Sequence, residues 1–213
     1  MFLKVSGVSP REVQLSDGKR RGAWWVSDRR EVLGSALALG LTLGSMGRRA
    51  EAAEDDPAHL HPQIGDVLVH FKGEKKGEII VPEDLPLGGP SALAWAKDDA
   101  AGVVREASNL NQLVLVRFEP EEIAEEFREH AAEGVVAYSA ACTHQGCPVS
   151  FWKKKQQRLY CSCHGSQFDP KDGAKRVAGP AKRRLAMLPL KMEDGTLKVA
   201  GEFIGELGPR TKA

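Results

Sequence analysis

Cys142-Thr143-His144-Gln145-Gly146-Cys147 and Cys161-Ser162-Cys163-His164-Gly165-Ser166 decide how this chain is read. The two stretches hold all four cysteines and two of the six histidines. They run as C-x-H, sixteen intervening residues, then C-x-x-H, with one further cysteine inside each stretch. Two thiolates with two imidazoles make a metal site, and the extra cysteine in each stretch can form a disulfide. Gly146 and Gly165 stand where the chain must turn tightly, which glycine does at least cost.

Two metal chemistries accept that donor set. Zinc takes two Cys and two His in common structural sites. Against zinc stand the C-x-H spacing, which is not the C-x2–4-C or H-x3–5-H of the usual fingers, and a chain long enough to build a core without a metal. Two further cysteines also remain, which zinc does not require. The other chemistry is a 2Fe–2S cluster in which two His replace two Cys on one iron. That replacement removes two negative charges, and the potential rises from about −400 mV into roughly −150 to +300 mV.

The loops resemble those of Rieske proteins of cytochrome bc-type quinol oxidases, which read close to C-T-H-x-G-C and C-x-C-H-G-S. The likeness extends through Gly134 to Tyr138, Phe168-Asp169, Val177-Ala178-Gly179-Pro180-Ala181 and the C-terminal hairpin. The stretch His130 to Gly208 is also similar to Rieske proteins of thermophilic bacteria. The resemblance implies that Cys142 and Cys161 ligate one iron of a Rieske-type 2Fe–2S cluster and His144 and His164 the other. It implies a Cys147–Cys163 disulfide tying the loops, and a Gly179-Pro180 loop covering the cluster's third side. In relatives of high potential a Ser hydroxyl donates to a bridging sulfide and a Tyr hydroxyl to a ligand sulfur. Ser166 matches the first; Phe168, without a hydroxyl, stands at the second.

The implied function is one-electron transfer within a quinol:cytochrome c oxidoreductase. The expected partners are cytochrome b-type and c-type subunits, with quinol at their interface hydrogen-bonding His144 or His164. The small Rieske subunit of an arsenite oxidase is the competing reading, its partner a molybdenum subunit. A soluble Rieske ferredoxin feeding an oxygenase fits less well, because such proteins lack the extra cysteine pair and an export signal. No haem motif or quinone-binding helical bundle is present in the sequence.

A disulfide belongs to an oxidising compartment, and the N-terminal region carries a matching address. Ser27-Asp28-Arg29-Arg30-Glu31-Val32-Leu33 resembles a twin-arginine export signal, followed by the apolar run Val32 to Gly47. As a helix those residues span about 24 Å, short of the roughly 30 Å hydrocarbon core, unless Trp24 and Trp25 extend the span at one interface. Lys19, Arg20, Arg21, Arg29 and Arg30 precede the run and Glu51, Glu54, Asp55 and Asp56 follow it. The positive-inside tendency therefore puts residues 1–31 in the cytoplasm and the cluster domain outside. Ala50-Glu51-Ala52 offers the alternative of a cleaved signal. The expected organisation is a tail over 1–31, an anchor or signal helix over 32–47, a linker over 48–62 and a Rieske domain over 63–213. With 42 % hydrophobic and 28 % charged residues the chain suits one globular domain plus an appended segment. A net charge of +1 gives no case for nucleic-acid binding.

The fold class expected is all-β: stacked antiparallel sheets with a cluster-binding subdomain inserted at about 137–182, preceded by the N-terminal apolar helix. Val135 to Tyr138 leads into the first cysteine-bearing stretch, and short β-branched or apolar runs at Val67–Val69, Ile79–Val81 and Leu113–Val116 read as strands. So do Pro148–Trp152, Arg158–Tyr160, Leu185–Met192 and Thr196–Ala200, with Asp194-Gly195 as a hairpin turn. Glu119 to Ala132 reads as the one helix of the domain, with Pro120 in its first turn. Residues 82–112 read as an insertion, His59 and His61 as solvated linker residues. Lys153-Lys154-Lys155 and Lys182-Arg183-Arg184 read as solvated turns.

Overall fold

The computed structural model describes residues 56–210. The tail, the twin-arginine stretch and the apolar run 32–47 lie outside the described residues. Antiparallel strands dominate what is described, in agreement with the all-β expectation. The larger sheet runs in the order β10 (Met187–Leu188), β5 (Val135–Ser139), β4 (Leu113–Arg117), β2 (Ala92–Asp98), β1 (Val67–His70), β12 (Thr196–Val199) and β11 (Leu190–Glu193). A two-residue strand β3 (Val103–Val104) pairs with β2. The edge strands β10 and β11 are consecutive in the chain and separated by Pro189 alone. A single residue cannot cross a flat sheet, so the sheet curls until its edges meet, which removes most exposed edge.

Alternation along the strands sorts two cores. Leu113 and Leu115, Val135 and Ala137, and Ala94 and Ala96 join Leu68, Leu188, Leu190, Leu197 and Val199 inside the curl. Val114, Val116, Val136 and Tyr138 face the other way, onto Phe118, Leu159, Phe168, Cys142 and Cys161. Both faces of β4 and β5 are thus covered, and this is why these strands read as unbroken apolar runs. The second core lies under a four-stranded antiparallel sheet: β6 (Phe151–Lys153), β7 (Arg158–Tyr160), β8 (Gln167–Asp169) and β9 (Lys175–Ala178). Its β6 and β7 carry the chain between the two cysteine-bearing stretches, and β8 and β9 follow the second. The Tyr138 hydroxyl donates to the Pro170 carbonyl at 2.7 Å and joins the two sheets through buried space.

Four expectations are corrected. The helix over Glu119–Ala132 is instead a 3-10 turn, Pro120–Glu122, and a single α-turn, α1 (Glu125–Arg128). Ile123 and Ala124 between them are extended. The Arg128 guanidinium takes the Ile123 carbonyl at 2.8 Å and the Ala124 N–H donates to Lys171 at 2.9 Å, so tertiary partners replace helical ones. Ile79–Val81 forms only an isolated bridge with Val69, because the Pro82–Asp84 turn follows at once and Asp84 accepts the Val81 N–H. Leu185–Met192 is broken at Pro189, which has no N–H for a ladder. Residues 82–112 are no insertion: they contain β2, which pairs with both β1 and β4. Its alanines have low strand propensity, yet small side chains at 94 and 96 suit the crowded interior of the curl.

The Asp194-Gly195 turn is as expected, with φ of 52° and 73°. Two positive values in a two-residue loop define the twist-compatible hairpin turn. Near the start of the described chain, Arg105 and Asp66 form a buried two-point ion pair (3.0 and 3.2 Å), and Arg105 also donates to the Pro57 carbonyl at 2.8 Å. Asn111 donates to Leu60 and hydrogen-bonds the His61 ring, so residues 57–61 are held on the domain surface. No helix among the described residues is long and apolar enough to cross a membrane.

Candidate metal centre

The two cysteine-bearing stretches fold into loops of the same construction. In the first, the Cys142 N–H donates to the Cys147 carbonyl at 2.9 Å and the Gly146 N–H to the Cys142 carbonyl at 2.8 Å. In the second, Cys161 N–H donates to Ser166 at 2.9 Å and Gly165 N–H to Cys161 at 3.0 Å. The fifth residue of each is a glycine in the left-handed region, Gly146 at φ 78° and Gly165 at φ 76°. Each loop is therefore closed by two backbone hydrogen bonds of its own. Among the described residues no backbone hydrogen bond connects one loop to the other. A disulfide does: Cys147 is bonded to Cys163.

With that bridge formed, Cys142 and Cys161 are left as free, buried thiols. Cys161 Sγ lies within 4.8 Å of both bridge sulfurs, which are themselves unavailable as ligands. Burial pushes the Cys142 thiol up, and the neighbouring Cys161 sulfur adds to the rise. Hydrogen bonding from the His144 backbone and the Ser166 side chain works the other way. Two adjacent buried sulfurs without a cationic side chain are poorly placed to be thiolates alone; a metal cation in place of the protons would favour them.

The imidazoles complete the set. The His144 and His164 rings stand edge to face with centroids 4.6 Å apart. Nδ1 of His144 is buried and has no hydrogen-bond partner. An orphaned ring nitrogen two residues from the free Cys142 thiol is a donor atom without an acceptor, and a metal would satisfy it. His164 is exposed and His144 half-buried. The donors present, two sulfurs and two imidazoles, fit a mixed-ligand 2Fe–2S cluster.

A third loop closes over the pair. Gly179 takes φ 84°, and a Cβ there would lie 2.6 Å from the Ser166 nitrogen, so only glycine lets this loop approach. The Ser166 hydroxyl accepts the Ala181 N–H at 3.1 Å, and the Thr143 hydroxyl donates to the Arg183 carbonyl at 2.8 Å. One hydroxyl from each cysteine-bearing loop thus fastens the covering loop. Pro180 lines a cleft with Thr143, His144, Lys182, Arg183 and Arg210. Phe168 is fully buried in the same core as Cys142 and Cys161, and its ring brings no donor to them.

All seven residues singled out from sequence, Cys142, His144, Cys147, Cys161, Cys163, His164 and Ser166, belong to these two loops. The fastening by Thr143 was not foreseen. Arg183, read as part of a solvated turn, instead donates to the carbonyls of Glu206 at 3.1 Å and Gly208 at 2.8 Å. Nothing in Lys182-Arg183-Arg184 distinguishes the engaged residue from its neighbours, since the acceptors are backbone atoms with no sequence signature.

Comparison with known proteins agrees with this geometry. The Rieske [2Fe-2S] domain family matches residues 97–189. The cytochrome bc1 complex Rieske iron-sulfur subunit of Streptomyces lividans is 34% identical over 152 residues, 68% of this chain and 85% of that one. The subunit of the same name from Mycobacterium tuberculosis strain H37Rv is 32% identical over 144 residues, 60% of this chain and 34% of that one. The chain thus spans about a third of the longer mycobacterial relative. Among solved structures, the plasma membrane Rieske protein of Synechocystis PCC 6803 is similar at 27% identity and a TM-score of 0.31, covering 42% of this chain and 77% of that one. The matched segment contains both loops, the free thiol pair, the paired imidazoles and the disulfide, and on that ground the chain belongs to the Rieske iron-sulfur protein family, in its cytochrome bc1 branch.

Proposed function

We propose that this chain is the one-electron carrier of a quinol:cytochrome c oxidoreductase. In this reading Cys142 and Cys161 hold one iron of a 2Fe–2S cluster and His144 and His164 the other. The cluster supplies one-electron transfer at a raised potential. The chain's own residues bind it, exclude water from its sulfurs through Phe168, Leu159 and the Pro180 loop, and present imidazole edges outward. The observation that carries the reading is the orphaned, buried Nδ1 of His144, two residues from one of two free buried thiols. With Nδ1 committed to metal, Nε2 is the atom left to hydrogen-bond a quinol hydroxyl and take its proton.

The cytochrome b-type and c-type partners and the quinol are supported by the names of the relatives. The proposed organisation keeps the tail at 1–31, the apolar segment at 32–47 as a single membrane anchor, and the domain on the outer face of a bacterial cytoplasmic membrane. Twin-arginine export of a folded, cluster-loaded domain is consistent with a disulfide beside the site.

The test is metal analysis joined to redox titration. Purified protein should carry two irons and two acid-labile sulfides per chain, with the spin-resonance signal of mixed Cys and His ligation when reduced. Its midpoint should fall as pH rises through the imidazole ionisation of the oxidised form, since losing a proton favours the oxidised state. Stoichiometric zinc without sulfide sinks the proposal, and a midpoint independent of pH sinks the proton-coupled part of it.

A further inference from the structure

The segment Phe203 to Arg210 continues the chain after β12 and returns to the cysteine-bearing loops. Ile204 bridges to Met187 through two backbone hydrogen bonds of 2.8 and 3.0 Å. From there the segment passes along the first loop. Gly208 takes φ 57°, and a Cβ added to it would meet Leu110 at 2.8 Å and Ala141 at 3.9 Å. Pro209 packs beside Gly146, within 3.5 Å of where a Cβ would stand. Ala141 precedes Cys142 and Gly146 precedes Cys147, so this strap touches the first loop at both ends.

Little in the strap itself holds it there. Its side chains are mostly half-buried or exposed, and Glu206 and Arg210 pair with each other on the surface. The exception is the grip of Arg183. One guanidinium arm donates to the Glu206 carbonyl at 3.1 Å and the other to the Gly208 carbonyl at 2.8 Å. The same residue's carbonyl accepts the Thr143 hydroxyl at 2.8 Å. Arg183 is therefore joined on one side to the strap and on the other to the residue between Cys142 and His144. A planar fork meets two carbonyls at once, which a lysine ammonium on a flexible stem does not reproduce.

We propose that Arg183 is a positioning residue: by clasping the strap Gly205–Arg210 against the first loop, it fixes the backbone that carries Cys142 and His144. This rests on the reading of those two residues as cluster ligands. Thr143, held by the Arg183 carbonyl at 2.8 Å, stands between those two residues, so the same clasp fixes the backbone on either side of it. Releasing the strap frees the first loop on the side of Ala141 and Gly146, lets the ligand-bearing backbone shift and changes the midpoint potential.

Arg183 also pairs with the Glu206 carboxylate at 3.1 Å, and two substitutions separate that charge from the carbonyl fork. In the cluster-loaded protein, Arg183→Lys keeps the charge and loses the fork, whereas Glu206→Gln keeps both carbonyl contacts and loses the carboxylate pairs with Arg183 and Arg210. Arg183→Lys is expected to shift the midpoint and to speed iron loss to a chelator by about tenfold, the scale of one lost hydrogen bond from a charged donor. Glu206→Gln is expected to keep the wild-type loss rate, because an exposed ion pair adds little. Wild-type values of both quantities in Arg183→Lys overturn the proposal, as does a Glu206→Gln variant that behaves like Arg183→Lys. Iron and sulfide content of the wild type is read in the same preparation. Its absence removes the cluster reading, while a loaded cluster indifferent to Arg183→Lys removes only the clasp.

Discussion

Replacing Cys147 and Cys163 together with serine tests how much of the site's architecture depends on one covalent link. Each loop is closed by two backbone hydrogen bonds of its own, and among the described residues no backbone hydrogen bond joins them. The bridge closes a separation of 16 residues. In the chain-entropy account, closing a loop of that size removes about 3 kcal/mol of freedom from the unfolded state. Serine at both positions returns that freedom while changing side-chain volume little. For a domain of roughly 150 residues, 3 kcal/mol corresponds to a fall in Tm of about 6–12 °C. In urea, with a slope of about 1–3 kcal/mol per molar, the midpoint should drop by about 1–3 M. The assay is thermal and urea unfolding of the cluster-free protein by circular dichroism, with thiol labelling to establish that the wild-type bridge is intact. Iron retention of the loaded double variant is measured in parallel and should fall, because the loops are then joined only through side-chain contacts. A wild type with its bridge formed and a double variant within about 2 °C of it would refute the reasoning: the loops would be held by packing, with the disulfide incidental.

Three other outcomes are expected. Asp66→Asn leaves the Arg105 guanidinium buried without its two-point partner and should cost about 3–5 kcal/mol, measured by urea unfolding; a loss under about 1 kcal/mol would mean that water reaches Arg105. Phe168→Tyr, which places a hydroxyl in the core shared with Cys142 and Cys161, should raise the midpoint potential, and an unchanged or lowered value in redox titration removes that reading of position 168. Hydrogen bonds from Lys191 and Lys198 hold the Glu193 carboxyl down at about 2, against an ordinary value of 4.5. A lowered folded-state value means stability that is complete above pH 4.5 and lost as pH falls towards 2. Carbon-detected NMR titration of Glu193 should show the low midpoint, and Lys191→Ala should move it towards 4.5.

The cysteine and histidine stretches were legible because metal chemistry is local. Ligand identity, spacing and the turn glycines Gly146 and Gly165 sit within six residues, and Asp194-Gly195 likewise specifies its own hairpin. Strands with β-branched runs, such as Val67–His70 and Leu113–Arg117, were legible for the same reason. The Ala92–Asp98 strand was not: its alanines are small because they face the interior of a closed curl, a demand made by distant strands. The Glu119–Ala132 stretch has helical composition, yet Arg128 and Lys171 take over its backbone groups from across the fold. Propensity of that size, a few tenths of a kcal/mol per residue, yields to such tertiary partners.

By itself, then, the sequence pointed to Cys142, His144, Cys161 and His164 as the candidate donor set, left Cys147 and Cys163 as a spare pair, and indicated an all-β domain to hold them. Those are properties of residue type and short-range spacing. Only the tertiary structure decided that the large sheet closes at Pro189, that Thr143 and Ser166 fasten the Pro180 loop, and that Arg183 grips the strap at Glu206 and Gly208. In two of those three fastenings the backbone partner is an accepting carbonyl, and in the third it is a donating N–H. Every residue carries such groups, so no residue pattern announces them, and only the path of the folded chain brings them within reach.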